Sequence, residues 1–79
     1  MDENILGKNI KYLRTMNGET LEELGNVIRA SKKTIQGYES GRRMPDIATI
    51  EKIAHYYGKM VDELVQINYM NLKKLVLIK

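Results

Sequence analysis

Residues 20–41 read TLEELGNVIRASKKTIQGYESG. Thr20 with Glu23 three residues on is a capping box: the hydroxyl takes the Glu23 N–H and the carboxylate takes the Thr20 N–H. Leu21, Leu24, Val27 and Ile28 form an apolar face, so the spacing predicts a helix over Leu21–Ile28. Arg29 and Ala30 leave only a very short gap before Ser31, a second N-cap residue. From there KKTIQGYES predicts another short helix, Lys32 to about Glu39, stopped at Ser40-Gly41. Ile35 and Tyr38 point to one side of it, while Lys32, Lys33, Gln36 and Gly37 point away. Gly37 is the oddity, since glycine inside a helix costs about 1 kcal/mol relative to alanine.

The flanking sequence is helical too. Leu6, Ile10 and Leu13 recur at helical spacing and predict a first helix from about Glu3 to Met16, ended by Asn17-Gly18. RRMP at 42–45 is a loop, because Pro45 keeps Met44 out of the helical region. Asp46 caps a fourth helix with Ile47, Ile50, Ile53, Ala54 and Tyr57 as its apolar face, and Gly58 closes it. A fifth helix starts near Val61-Asp62, with Leu64 and Val65 inward. The expected fold is therefore all-α, with five helices in a domain over residues 1–65 and a tail over 66–79. The tail, QINYMNLKKLVLIK, reads as a continuation of the fifth helix with Val61, Val65, Tyr69, Leu72 and Val76 in one stripe. As a strand, LVLI would need cover on both faces; periodicity favours the helix.

Composition narrows the function. The chain has 79 residues and no cysteine, so neither a disulfide nor a thiolate metal site supports its small core. A reducing cytoplasm is the expected location. The N-terminus, MDENILGKN, is acidic before it is apolar, unlike a signal peptide. The apolar run LVLI at 75–78 is too short to span a bilayer. His55 is the single histidine and follows Glu51 at i+4, which reads as a surface pair. GKN at 7–9 and GKM at 58–60 lack the context of a phosphate-binding loop, and the scattered methionines read as core fillers. No enzyme activity, metal or cofactor is expected. Of the thirteen bases and ten acids, five bases (Arg29, Lys32, Lys33, Arg42, Arg43) and one acid (Glu39) fall between Arg29 and Arg43. A local basic patch on a near-neutral body suits a polyanion.

Two short helices joined by a tight turn, the second basic on its outward face, make a helix-turn-helix, whose second helix enters the DNA major groove. At this point the chain resembles a family. IKYLR at 10–14, TLEEL at 20–24, ASKKTIQGYESGRRMP at 30–45 and IEKIAHYYG with the following DEL resemble the lambda-repressor/Cro-type helix-turn-helix domain, also called the xenobiotic-response-element family. The resemblance covers residues 5–65. It implies five helices, dimeric binding to a double-stranded DNA operator, and transcriptional regulation in a bacterium or its phage. It places base reading at Lys32, Lys33, Gln36 and Gly37, and phosphate contact at Thr34, Arg42 and Arg43. Thr20 and the Leu21 amide fall where a helix N-terminus meets phosphate, and Arg14 and Glu39 where the first and third helices share an ion pair. Three positions depart from the family pattern: Arg29 for glycine at the turn, Leu21 for glutamine, and Gly37, which empties a base-reading position. Close approach of the helix backbone to the groove is one reading of Gly37; a tolerated blemish is the other.

A protein-binding module on the same fold, such as an antitoxin-like or accessory regulator, is the alternative function. Control by concentration or by a regulatory protein is expected in place of a small-ligand sensor. The apolar stripe of the tail finds no room in a five-helix core of this size, which makes it the expected homodimer contact. Sedimentation of a chain ending at Asn68 checks this: a monomer at micromolar concentration is expected, and a persistent dimer assigns the interface elsewhere.

Overall fold

A computed structural model of the chain describes residues 4–67. Among them five helices follow in order: α1 (Ile5–Met16), α2 (Leu21–Ile28), α3 (Lys32–Ser40), α4 (Ile47–Tyr56) and α5 (Val61–Gln66). Helix α5 ends at Gln66, and Ile67 is extended at φ −89° and ψ 128°, so the tail does not continue the fifth helix without a break as expected; its course beyond residue 67, with the choice between helix and strand, lies outside the described residues. None of the described helices is long and apolar enough to cross a membrane.

Side-chain caps set most of the helix starts. Thr20 and Glu23 form the reciprocal box, with Thr20 Oγ1 accepting from Glu23 N at 3.0 Å and Glu23 Oε1 from Thr20 N at 2.8 Å. Ser31 Oγ accepts from Thr34 N at 3.1 Å, and Asp46 Oδ1 from Thr49 N at 2.9 Å. That cap holds the Asp46 carboxyl below its ordinary range, because the acceptor oxygen is wanted in its charged form. The first helix begins later than expected, at Ile5 rather than Glu3, because Asn4 is its cap and accepts from Gly7 N at 3.1 Å. Helix α5 has no polar cap residue; Glu63 accepts from the Met60 N–H at 2.7 Å instead.

The core draws on every helix: Leu6 and Ile10 from α1, Leu24 and Ile28 from α2, Ile35 from α3, Ile50, Ile53 and Ala54 from α4, and Leu64 from α5. Two expected core residues are outside it. Val27 is 43% exposed and Ile47 67%. Val27 sits roughly a quarter turn round from the Leu21–Leu24–Ile28 stripe at 3.6 residues per turn. Ile47 holds the first position of α4, ahead of the turn that meets the core. The expected Glu51–His55 pair is also not formed: both are exposed, and no hydrogen bond or ion pair joins them.

One polar side chain is built into the interior. Asn9 is 1% exposed and donates through Nδ2 to Leu64 O at 2.7 Å and Ile67 O at 2.5 Å. It thereby fixes the end of α5 against α1, satisfying carbonyls that a helix C-terminus leaves open.

The turn between α2 and α3 is made by two backbone features. Arg29 is left-handed, with φ 59° and ψ 49°, and it is the only non-glycine residue with positive φ among those described. Gly25 lets the chain fold back: a Cβ there would fall 2.3 Å from Ala30 O, and the Gly25 carbonyl accepts from Ala30 N at 2.8 Å. A left-handed residue with a Cβ costs roughly 1–2 kcal/mol. Arg29→Gly is therefore expected to stabilise the domain by about 1 kcal/mol, raising its thermal midpoint by about 4–8 °C. An unchanged midpoint in a calorimetric scan contradicts a strained turn.

Candidate nucleic-acid interface

The outward face of α3 is made by what its inward face does. Ile35 has no exposed surface, and Tyr38 packs half-buried against the core. Helical geometry then turns Lys32, Lys33 and Gln36 to solvent, and all three are exposed. No acid stands in the first turn of α3, so nothing there neutralises the two lysines. Two cations at a helix N-terminus oppose the helix dipole. A local conflict of this kind marks a surface shaped by something other than stability. Thr34 is half-buried, and its hydroxyl accepts from Ser31 Oγ at 3.0 Å.

The position of α3 is held by Arg14. Its Nε donates to Glu39 Oε2 at 2.6 Å and its Nη2 to Glu39 Oε1 at 3.1 Å, a two-pronged pair between α1 and α3. Nη1 donates to the Glu19 carbonyl at 2.6 Å, which adds the loop between α1 and α2. Both side chains of the pair are about nine-tenths buried, at 11% and 8% exposed. The Glu39 hydrogen bond raises the guanidinium above its ordinary value, against the opposing effect of burial. Glu19 is itself clamped, with its carboxylate accepting from the hydroxyls of Tyr56 and Tyr57 at the end of α4. Burial, then the bond to Glu19, pushes the Tyr57 phenol far above its ordinary range.

Two further contacts brace α3. Asn4 donates to Glu39 O at 3.1 Å, and Gly7 lets α1 come so close that a Cβ there would fall 2.3 Å from Tyr38 O. Sequence reasoning passed over Asn4, Gly7 and Gly25. An asparagine just before the first apolar pair was a readable cap signal. The close approach at Gly7 depends on tertiary packing against α3, and that at Gly25 on the left-handed turn at Arg29.

The structure parts the expected contact residues into groups. Lys32, Lys33 and Gln36 share one exposed face, and Arg42 and Arg43 are exposed on the adjoining loop. Thr20 and Leu21 stand differently. Glu23 already occupies the Thr20 N–H, Glu22 and Glu23 fill the first turn of α2, and Leu21 packs against the core. The Thr20 N–H is thus taken by the expected capping carboxylate. Gly37 corrects the expectation more sharply. It is buried, not an open point on the outward face, because the side chains of Arg43 and Arg42 lie across it. The backbone of Gly37 is therefore not bare in the free chain: the Arg43 stem lies beside it.

Comparison with known proteins agrees with this geometry. A family model described as helix-turn-helix matches residues 10–64. A curated relative, the cryptic phage CTXphi transcriptional repressor RstR of Vibrio cholerae, is 36% identical over 63 residues, covering 80% of this chain and 57% of that protein. The chain thus spans a little over half the length of that relative. No solved structure gives a significant match. The chain belongs to the lambda-repressor/Cro-type helix-turn-helix family.

Removing one partner of a buried ion pair strands the other. Arg14→Ala is expected to cost about 3 kcal/mol in denaturant unfolding. Arg14→Lys should recover only part of that, because an ammonium lacks the guanidinium fork. A loss below about 0.5 kcal/mol, the usual scale of a surface substitution, contradicts a bracing role.

Proposed function

We propose that this helix-turn-helix chain is a sequence-specific, double-stranded-DNA-binding transcriptional regulator of the repressor type. The observation that carries the proposal is the exposed face of Lys32, Lys33 and Gln36 on a short helix whose opposite face is locked into the core. A rigid, cationic helix of this size fits the major groove. The lysines are suited to guanine O6 and N7, and Gln36 to adenine N6 and N7. Thr34 and Arg42 flank that face and suit backbone phosphate, which sets register without reading sequence. The N-terminus of α2, with its own acids in place, is a weaker phosphate site than the family pattern implies. The relative named as a transcriptional repressor supports the direction of regulation.

Binding is proposed to be dimeric, each subunit laying α3 in a major groove at half-sites about one helical turn (~34 Å) apart. The stretch beyond residue 67 is the proposed contact between subunits. Occupancy of the operator, and so the level of the protein, would then set the response.

Affinity for a selected duplex should fall steeply between low and physiological salt, because neutralising phosphates releases counterions. Lys33→Ala should weaken that binding by about 5- to 150-fold, while His55→Ala, on the exposed face of α4, leaves it unchanged. Salt-insensitive binding, or equal affinity for wild type and Lys33→Ala, contradicts the assignment of this face.

A further inference from the structure

Gly37 lies on the same stripe of α3 as Lys33 and Gln36, yet it is buried. Its cover comes from the loop that follows the helix. A Cβ built on Gly37 would fall 2.9 Å from both Cγ and Cδ of Arg43, and 3.3 Å from a terminal nitrogen of Arg42. The main chain of the loop is tied to the same residue. Gly37 O accepts from Arg43 N at 3.1 Å and from the Ser40 hydroxyl at 3.2 Å, and Ser40 Oγ in turn accepts from Arg42 N at 3.4 Å. The Arg43 backbone is held by the glycine carbonyl, and the Arg43 stem lies in the space that the missing side chain leaves. The guanidinium begins one bond beyond Cδ. It leaves the helix from the place where a long side chain at position 37 would leave it.

We propose that Arg43 acts as the side chain of position 37. Delivered from the loop and seated on Gly37, it contacts a guanine edge in the major groove, and Gly37 is the positioning residue that makes the seat. The assignment rests on the DNA-binding reading above and deepens it. A guanidinium presents two parallel N–H groups that match guanine O6 and N7, the commonest specific contact in the groove. A phosphate contact sets register without reading sequence, whereas a stem seated on the recognition helix sets the guanidinium beside Lys33 and Gln36, among the side chains that would read bases. Filling the seat with a methyl group would displace the Arg43 stem and cost the reading. Arg42 borders the seat with its charged end, not its stem, and serves as a backbone contact.

The test is selection of bound duplexes from a random pool, with the full chain as wild type, Arg43→Ala, Gly37→Ala and Arg42→Ala. The wild type should enrich a guanine at one position of each half-site. Arg43→Ala should lose the preference for that guanine by about 5- to 150-fold, the worth of one bidentate contact, with other positions unchanged. Gly37→Ala should stay folded yet lose the same guanine, whereas Arg42→Ala should weaken binding to all sequences alike. A uniform loss for Arg43→Ala, with the salt slope reduced by about one, makes it a phosphate contact and overturns the proposal. So does a Gly37→Ala protein that keeps the guanine. A wild type that enriches no duplex removes the DNA-binding reading itself. A wild-type site left intact by both Arg43→Ala and Gly37→Ala refutes the arginine assignment alone.

Discussion

Everything that makes α3 a rigid probe passes through the Arg14 guanidinium. Three of its nitrogens are spent on Glu39 and on the Glu19 carbonyl, so one side chain fixes α1, the following loop and α3 together. A hydrophobic contact would hold these elements close without setting their rotation. A planar fork against a carboxylate sets both distance and angle. In a domain with only nine buried apolar residues among those described, such directionality matters more than the net free energy of the pair, which in general roughly balances its desolvation cost. Glu19 extends the same brace to the end of α4 through Tyr56 and Tyr57. The recognition surface is thus positioned from behind, by groups that a bound duplex need never touch.

Two residues show local stability yielding to the architecture. Arg29 takes a left-handed conformation that a glycine would adopt without strain. Gly37 sits in a helix interior where alanine would be better placed. The two exchanges run in opposite senses, a side chain where glycine is preferred and glycine where a side chain is preferred. At Gly37 the return is visible, because the vacated space is taken by the stem of Arg43, whose backbone N–H is bonded to the Gly37 carbonyl. At Arg29 the structure shows no contact that compensates the backbone.

The helices were legible because each has a period and three of them, α2, α3 and α4, also a cap read from the sequence. Thr20 with Glu23, Ser31 and Asp46 mark starts, and Leu6 with Ile10, Leu24 with Ile28, and Ile50 with Ile53 and Ala54 repeat at spacings that one face of a helix buries together. The exposed lysines and Gln36 followed from the same arithmetic. What was hidden had no local signature. Asn9 reads as a surface polar residue until the end of α5 lies over it. Gly37 falls on the outward stripe by helical angle alone, and its burial depends on a loop that folds back from residues 42 and 43. The phosphate role expected at Thr20 and Leu21 was carried by family likeness, while the acids at 22 and 23 that compete for the same helix end belong to this chain.

The central claim is that the exposed face of α3 and the loop after it read a DNA duplex. Amide shift mapping of the full chain, titrated with a duplex that it has selected, tests this most directly. The largest changes should fall on residues 32–37 and on Arg42 and Arg43, with α4 and α5 little moved. Changes centred on α4 or α5, with Lys32, Lys33 and Gln36 unaffected, would contradict it.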